Sequence, residues 1–175
     1  MEIEKKYFLD TNKELNLYNY DKQLDIEQWY LAEDKDIRLR QEIKEVDVSY
    51  YLTFKSDDYV EREELTLQLE PVQARTLLKM GFVSKIEKTR AIWYFEGFEF
   101  VIDQIGNIVL VEIEINSDKE DLSIFTTEFV SKMLSSILEE DFDLYDVTFE
   151  KDFKNKNIHK YSKDELLNIV KGDVK

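Results

Sequence analysis

The sequence predicts an α+β fold: an antiparallel β-sheet with one charged face, and helices packed outside it. Strand-like alternation of apolar and charged residues dominates positions 1–115. Two capping boxes and one apolar stripe at helical spacing mark the remainder. With only four glycines and one proline, the chain has no glycine-rich phosphate loop and no Pro/Gly-rich linker.

The elements follow in order. Residues 2–9 read as a strand, with Glu2, Glu4 and Lys6 on one face and Ile3 on the other. Residues 10–25 are polar with scattered Leu and Tyr, and read as a helix or an irregular connection. Gln28 to Leu31 and Asp36 to Glu42 form a hairpin whose turn is the acidic run Glu33-Asp34-Lys35-Asp36. Val48 to Lys55 is rich in Tyr, Thr and Phe, which suit a pleated surface. Arg62 to Glu70 alternates strictly, Leu65, Leu67 and Leu69 against Glu64, Thr66 and Gln68. Pro71 suits the first turn of a helix running to about Met80, where Gly81 stops it. Residues 83–94 and 97–104 form a hairpin turning at Glu96-Gly97. Gly106-Asn107 turns the chain into a further strand at 108–115. Ser117 with Glu120 opens a helix through residue 138, carrying Leu122, Phe125, Phe129, Met133 and Ile137 on one stripe. Ser162 with Glu165 caps a last helix, about 162–171.

Composition narrows the chemistry. A chain of 175 residues, 43% hydrophobic, suits one domain spanning 1–175, with no internal repeat. A net charge of −15 argues against a surface that coats nucleic acid. The absence of cysteine excludes disulfides, thiolate metal sites and cysteine nucleophiles. The single histidine, His159, lies in a polar Lys/Asn-rich segment and reads as solvated, which argues against a histidine zinc site or a Ser-His-Asp triad. No apolar run reaches the ~18–20 residues of a bilayer span, and no signal peptide precedes the Glu-rich start, so a cytoplasmic protein with no membrane association is expected. Catalysis would then fall to carboxylates, cations and an oxygen-liganded metal.

The charged faces recur from strand to strand. Arg38 and Arg40 flank Leu39, Lys88 and Arg90 flank Thr89, Arg62 and Glu64 flank Glu63, and Glu112 and Glu114 flank Ile113. An antiparallel sheet with one wet face accounts for any one of these. Arginine pairs in a chain this acidic suggest fixed cations for phosphate, which the guanidinium fork matches. A barrel reconciles the pattern, with charge lining the lumen and helices outside. The candidate lining is Glu2, Glu4, Glu64, Asp103, Glu112 and Glu114 with Lys6, Arg38, Arg40, Lys55, Arg62, Lys88 and Arg90. It is close to neutral, so the cations concentrate where the site is expected.

Taken in order, these segments resemble the CYTH domain, the triphosphate tunnel metalloenzyme superfamily. The resemblance rests on Glu2-Ile3-Glu4-Lys5-Lys6, Arg38-Leu39-Arg40, Tyr51-Leu52-Thr53-Phe54-Lys55, Arg62-Glu63-Glu64, Lys88-Thr89-Arg90, Asp103 and Glu112-Ile113-Glu114. A tail of Asp146-Val147-Thr148 through Phe153 and Asn155 extends it, so that it covers about residues 1–158. The resemblance implies an eight-stranded antiparallel tunnel that binds a triphosphate-containing small molecule with Mg²⁺ or Mn²⁺. It implies hydrolysis of the terminal phosphate, most of all of inorganic tripolyphosphate, as in short bacterial members. Thiamine triphosphate or nucleotide hydrolysis, adenylate cyclisation, or non-catalytic polyphosphate binding are the alternatives. Glu2, Glu4 and Glu114, then Glu112, Asp103 and Glu64, are the expected metal ligands. Lys6, Arg38, Arg40, Lys55, Arg62, Lys88 and Arg90 are expected on phosphate oxygens. Glu64, Asp103 and Lys6 are the expected catalytic groups. Two positions depart from the pattern: Thr66 stands where many members carry a second inward glutamate, and Asp146 replaces the usual glutamate. Members are often dimers, so a homodimer is possible.

Overall fold

Alternation along the chain builds the sheet. The computed structural model describes residues 2–11, 15, 17–56, 61–115, 122–138 and 142–172. The strands are β1 (Glu2–Asp10), β2 (Lys22–Tyr30), β3 (Asp36–Lys44), β4 (Asp47–Lys55), β5 (Glu61–Arg62), β6 (Glu64–Leu69), β7 (Ser84–Phe95), β8 (Phe98–Ile105), β9 (Ile108–Ile115) and β10 (Asp143–Asp146). The helices are α1 (Pro71–Met80), α2 (Thr127–Ile137), α3 (Asn155–Ile158) and α4 (Lys163–Lys171).

All pairings are antiparallel, in the order β10-β1-β9-β8-β7-β2-β3-β4-β6, and β5 pairs with β1 through Glu2↔Arg62 and Ile3↔Glu61. The α+β class is as expected. The eight strands of the expected barrel are ten segments among the described residues, because Glu63 interrupts β5 and β6 and because β10 adds to the edge of β1. The hydrogen-bonded order has two ends, β10 and β6. The two-residue β5 segment, which precedes β6 in the chain, pairs with β1.

Each face of the sheet has its own partners. On one face, Tyr7 and Leu9 of β1, Val109, Val111 and Ile113 of β9, Phe100 and Ile102 of β8 and Trp93 of β7 pack under Val130 and Leu134 of α2. A second apolar layer sets Trp29 and Leu39 against Ala74 of α1. Each such fully buried aliphatic side chain contributes about 1.5–3 kcal/mol of transfer free energy. On the opposite face, Phe8 and Leu110 meet Phe153, Ile158 of α3 and Leu166 of α4. The C-terminal segment therefore packs against the end of the sheet where β1 finishes and β9 starts.

Most elements lie where the sequence places them. Helix α1 starts at Pro71 and ends at Gly81, whose φ of 108° suits glycine. Helix α4 carries both arms of the Ser162/Glu165 capping box. Strand β2 begins at Lys22, well before the expected Gln28, because Leu24 and Ile26 already alternate with Asp25 and Glu27. Helix α2 begins at Thr127, capped by the Thr126 side chain, after a 3-10 turn at Leu122–Ile124. The expected Ser117/Glu120 cap lies outside the described residues. Strand β10 and helix α3 were not expected: four-residue elements have too little periodicity to read.

Candidate functional site

The polar face of the sheet surrounds a cavity of ≈ 120 Å³. Its wall takes Glu4 and Lys6 from β1, Tyr30 from β2, Asp36, Arg38 and Arg40 from β3, Lys55 from β4 and Glu64 from β6. Arg90 of β7, Glu112 and Glu114 of β9, and Lys154 and Asn155 at the start of α3 complete it. Even spacing along each strand explains the convergence, since residues two apart share a face. Lys6 stands opposite Glu112, Glu4 opposite Glu114, and Arg90 opposite Asp103 across the ladders.

These groups form one charged network. Arg90 donates from Nε to Asp103 Oδ1 and from Nη2 to Asp103 Oδ2, both at 2.7 Å, and Nη2 also reaches Glu112 Oε2 at 2.6 Å. Lys6 Nζ bridges Glu112 Oε1 at 2.9 Å and Glu4 Oε1 at 3.0 Å. Lys88 Nζ donates to Asp103 Oδ2. On the facing strands Lys55 pairs with Glu64 at 2.8 Å, and Arg40 with Glu42 at 3.1 Å. The Thr66 hydroxyl donates to Glu64 Oε1 at 2.7 Å and lies 2.9 Å from the Thr53 hydroxyl. The Thr66 hydroxyl thus holds Glu64 from the same strand face.

Proton affinities follow from burial and charge together. Burial alone would raise the Glu112 carboxyl, but Lys6, Arg90 and Lys88 outweigh it and hold the carboxyl far below the usual range. Burial would lower Lys6, and the charges of Glu112 and Glu4 reverse this and lift it well above ordinary lysine. For Asp103 the opposing desolvation is likewise overcome by Arg90 and Lys88, so it stays ionised below the usual range. Lys88 goes the other way: burial, then the nearby Arg90 charge, bring it down to about 8. Arg40 is lowered by burial and by Arg38 beside it.

The strand that supplies Lys6 is pinned from the C-terminal tail. Thr148 Oγ1 accepts from the Lys6 backbone N–H at 3.1 Å, Val147 N–H donates to Lys6 O at 2.9 Å, and Asp146 accepts from both the Thr148 hydroxyl and its N–H. Lys5 pairs with the other oxygen of Asp146 at 3.2 Å.

The chain matches the CYTH domain family over residues 1–143.

It belongs to the CYTH family.

No curated protein matches it. Solved structures share the fold. The PH1819 protein of Pyrococcus horikoshii OT3 is 20% identical, with a TM-score of 0.58 over 95% of this chain and 98% of its own. The inorganic triphosphatase NE1496 is 23% identical, with a TM-score of 0.50 over 93% of this chain and 96% of its own. A candidate adenylate cyclase from Vibrio parahaemolyticus is 17% identical, with a TM-score of 0.55 over 91% and 98%.

In this CYTH chain the structure gathers Glu4, Lys6, Arg38, Arg40, Lys55, Glu64, Arg90, Glu112 and Glu114 round one cavity. Asp103 and Lys88 do not reach its wall. Both are buried behind Arg90, where Asp103 has two oxygens committed to cations. The backbones of Glu2 and Arg62 pair, and their side chains lie outside the described residues. His159 is exposed, as expected. Sequence reasoning missed Tyr30, Asp36, Lys154 and, as a site residue, Asn155. Asp36 was legible, because it precedes Arg38 and Arg40 by even steps on one strand face. Nothing local marked Lys154. Among the described residues no three carboxylates are gathered for a metal ion, and no helix is long and apolar enough to cross a membrane. Yet Glu4 and Glu114 face each other directly across the β1–β9 ladder, a like-charged pair that a hard divalent cation would relieve. Magnesium needs only one or two carboxylates when waters and phosphate oxygens complete its shell, so the donor set fits.

Proposed function

We propose that this CYTH protein is a metal-dependent triphosphatase that releases the terminal phosphate of a triphosphate, with inorganic tripolyphosphate the leading substrate. One observation carries the reading. Arg38, Arg40, Lys55, Arg90 and Lys6 line a single cavity beside the facing pair Glu4 and Glu114. A triphosphate chain needs cations on several sides and a metal at one edge. In this reading the β5–β1 pairing closes the sheet into a tunnel, and the lack of cysteine suits the cytoplasm, where we place the protein.

Glu4 and Glu114, with Glu112 and Glu2, would hold Mg²⁺ or Mn²⁺. The ion would supply charge neutralisation and a Lewis acid for a phosphoryl oxygen. Arg38 and Arg40 clamp phosphate oxygens by their planar forks, and Lys55 and Lys6 add point charges. Arg90 is aimed by Asp103, so its charge meets the developing negative charge without reorganisation. Asp103 and Lys88 act behind the wall as positioning groups, while Glu64, held by Thr66 and Lys55, stays oriented toward the cavity.

Purified protein with Mg²⁺ or Mn²⁺, assayed for phosphate release from tripolyphosphate, ATP and thiamine triphosphate, tests this. Turnover greatest on tripolyphosphate is expected. No release from any of the three sinks the hydrolase reading, and cyclic AMP formed from ATP would replace it with a cyclase.

A further inference from the structure

We propose that Lys154 is a further phosphate-binding cation of the site and that, through it, an occupied cavity holds the C-terminal segment against the sheet. The inference deepens the triphosphatase reading and rests on it. Among the described residues, six cations line the cavity. Lys6, Arg38, Arg40, Lys55 and Arg90 project from strands, so the ladders set their positions. Lys154 comes from outside the sheet. It precedes α3, between Phe153, which is fully buried, and Asn155, which is 9% exposed. Its N–H donates to Lys151 O at 3.2 Å, and its carbonyl accepts from Asn157 N–H at 2.8 Å and from Ile158 N–H at 3.1 Å. The backbone that carries this side chain to the wall is therefore fixed once Phe153 is seated.

The path of the segment follows from β1. One edge of β1 pairs with β9 from Ile3 to Leu9. The other edge pairs with β5 at Glu2 and Ile3, and with β10 from Tyr7 to Asp10. Between these two ladders, Val147 and Thr148 take the backbone groups of Lys6. The same segment then adds Lys154 and Asn155 to the wall that holds Lys55 of β4 and Glu64 of β6. Its charge suits an anion. Residues 147–172 carry six lysines against four carboxylates, in a chain of net charge −15. A phosphate chain carries several negative charges, and a lysine ammonium beside it is a charge-assisted donor. A ligand that touches Lys154 binds the docked segment better than the undocked one. By linkage it favours docking by the same factor. Packing of Phe153, Ile158 and Leu166 against Phe8 and Leu110 builds the docked state, and phosphate adds to it.

The test uses the full-length protein with Mn²⁺ and the imido-bridged, non-hydrolysable analogue of tripolyphosphate. Wild type is compared with Lys154→Met, Lys154→Arg and Lys160→Met. The last removes the same charge from an exposed position of the same segment, away from the cavity wall. Calorimetry gives analogue affinity, and hydrogen exchange follows the amides of residues 151–158. In wild type the analogue is expected to slow exchange there. Lys154→Met should bind the analogue about tenfold more weakly, as the loss of a charged hydrogen bond does, and should lose that protection. Lys154→Arg should restore most of both, and Lys160→Met should match wild type. Affinity of Lys154→Met within twofold of wild type overturns the proposal, as does an equal loss in Lys160→Met. If Lys154→Met does not fold, a wild type that binds the analogue without slower exchange at 151–158 overturns it. A wild type that neither binds the analogue nor releases phosphate from tripolyphosphate removes the triphosphatase reading as well. A wild type that does both, with Lys154→Met behaving alike, removes this proposal alone.

Discussion

Arg90 meets Asp103 through two parallel hydrogen bonds, Nε to Oδ1 and Nη2 to Oδ2, each 2.7 Å long. Asp103 is fully buried and Arg90 is 9% exposed, so solvent does little to screen the pair. The same carboxylate also takes Lys88. A buried anion between two cations is costly to disturb from one side only.

Asp103→Asn should therefore destabilise the fold by about 3–5 kcal/mol, because it takes the buried carboxylate from Lys88 and leaves Arg90 with only its Glu112 and Glu114 contacts. Urea denaturation gives the value. A loss below 1 kcal/mol would show that the network is better hydrated than its burial implies.

Lys88 predicts a specific pH dependence. Its folded value, about 8, lies below the ordinary 10.5. Between these two values the unfolded chain binds the proton that the folded chain has released, so stability rises with pH across that window. Below pH 8 both states hold the proton and the contribution is flat. Lys88→Met removes the group, and its stability should lack the rise between pH 8 and 10. Parallel curves for the two proteins would refute the lowered value.

Glu4→Gln leaves the hydrogen bonding of β1 intact and removes half of the Glu4/Glu114 pair. Mn²⁺ affinity by titration calorimetry should fall at least about tenfold, as ligand-shell losses do, while the protein still melts cooperatively. Unaltered Mn²⁺ binding would move the metal away from this pair.

Leu134→Ala opens a cavity between α2 and the outer face of β1 and β9. A loss of about 2–5 kcal/mol is expected, with KM unchanged, because Leu134 lies on the face of the sheet away from the cavity. A changed KM would mean that α2 sets the cavity's shape.

Thr148→Val keeps the side-chain volume and removes the acceptor for the Lys6 N–H. The loss of that bond and of the Asp146 link should cost about 1–3 kcal/mol in stability. Lys6 should also lose position, lowering kcat more than the stability loss alone explains. Equal activity at temperatures well below melting would show that β1 is held in register by its ladders alone.

Much of this site was legible residue by residue. Strand parity placed Arg38 with Arg40, Glu112 with Glu114 and Glu4 with Lys6, because neighbours two apart must share a face. Parity could not tell wall from interior. Arg90 and Lys88 share the same face, yet one lines the cavity and the other is buried behind it, bonded to Asp103. That distinction depends on how far each side chain reaches across the sheet. Helix α2 was misplaced at its start because Leu122 and Phe125 keep a helical spacing while sitting outside the helix. Phe125 is held there by contact with Phe98 and Phe129, a tertiary choice that overrides the local pattern.

The sequence by itself determined the alternating strands, the caps at Pro71 and Ser162, the charge of the polar face, and the family. Each of these is a local or periodic property, carried by residues within a few positions of one another. Only the tertiary structure decided which charges meet. The C-terminal segment returns more than a hundred residues later to pin Lys6 through Thr148 and to bring Asn155 into the cavity wall that holds Asp36. Long-range packing of Phe153, Ile158 and Leu166 against Phe8 and Leu110 drives that return, and no spacing along the chain encodes it.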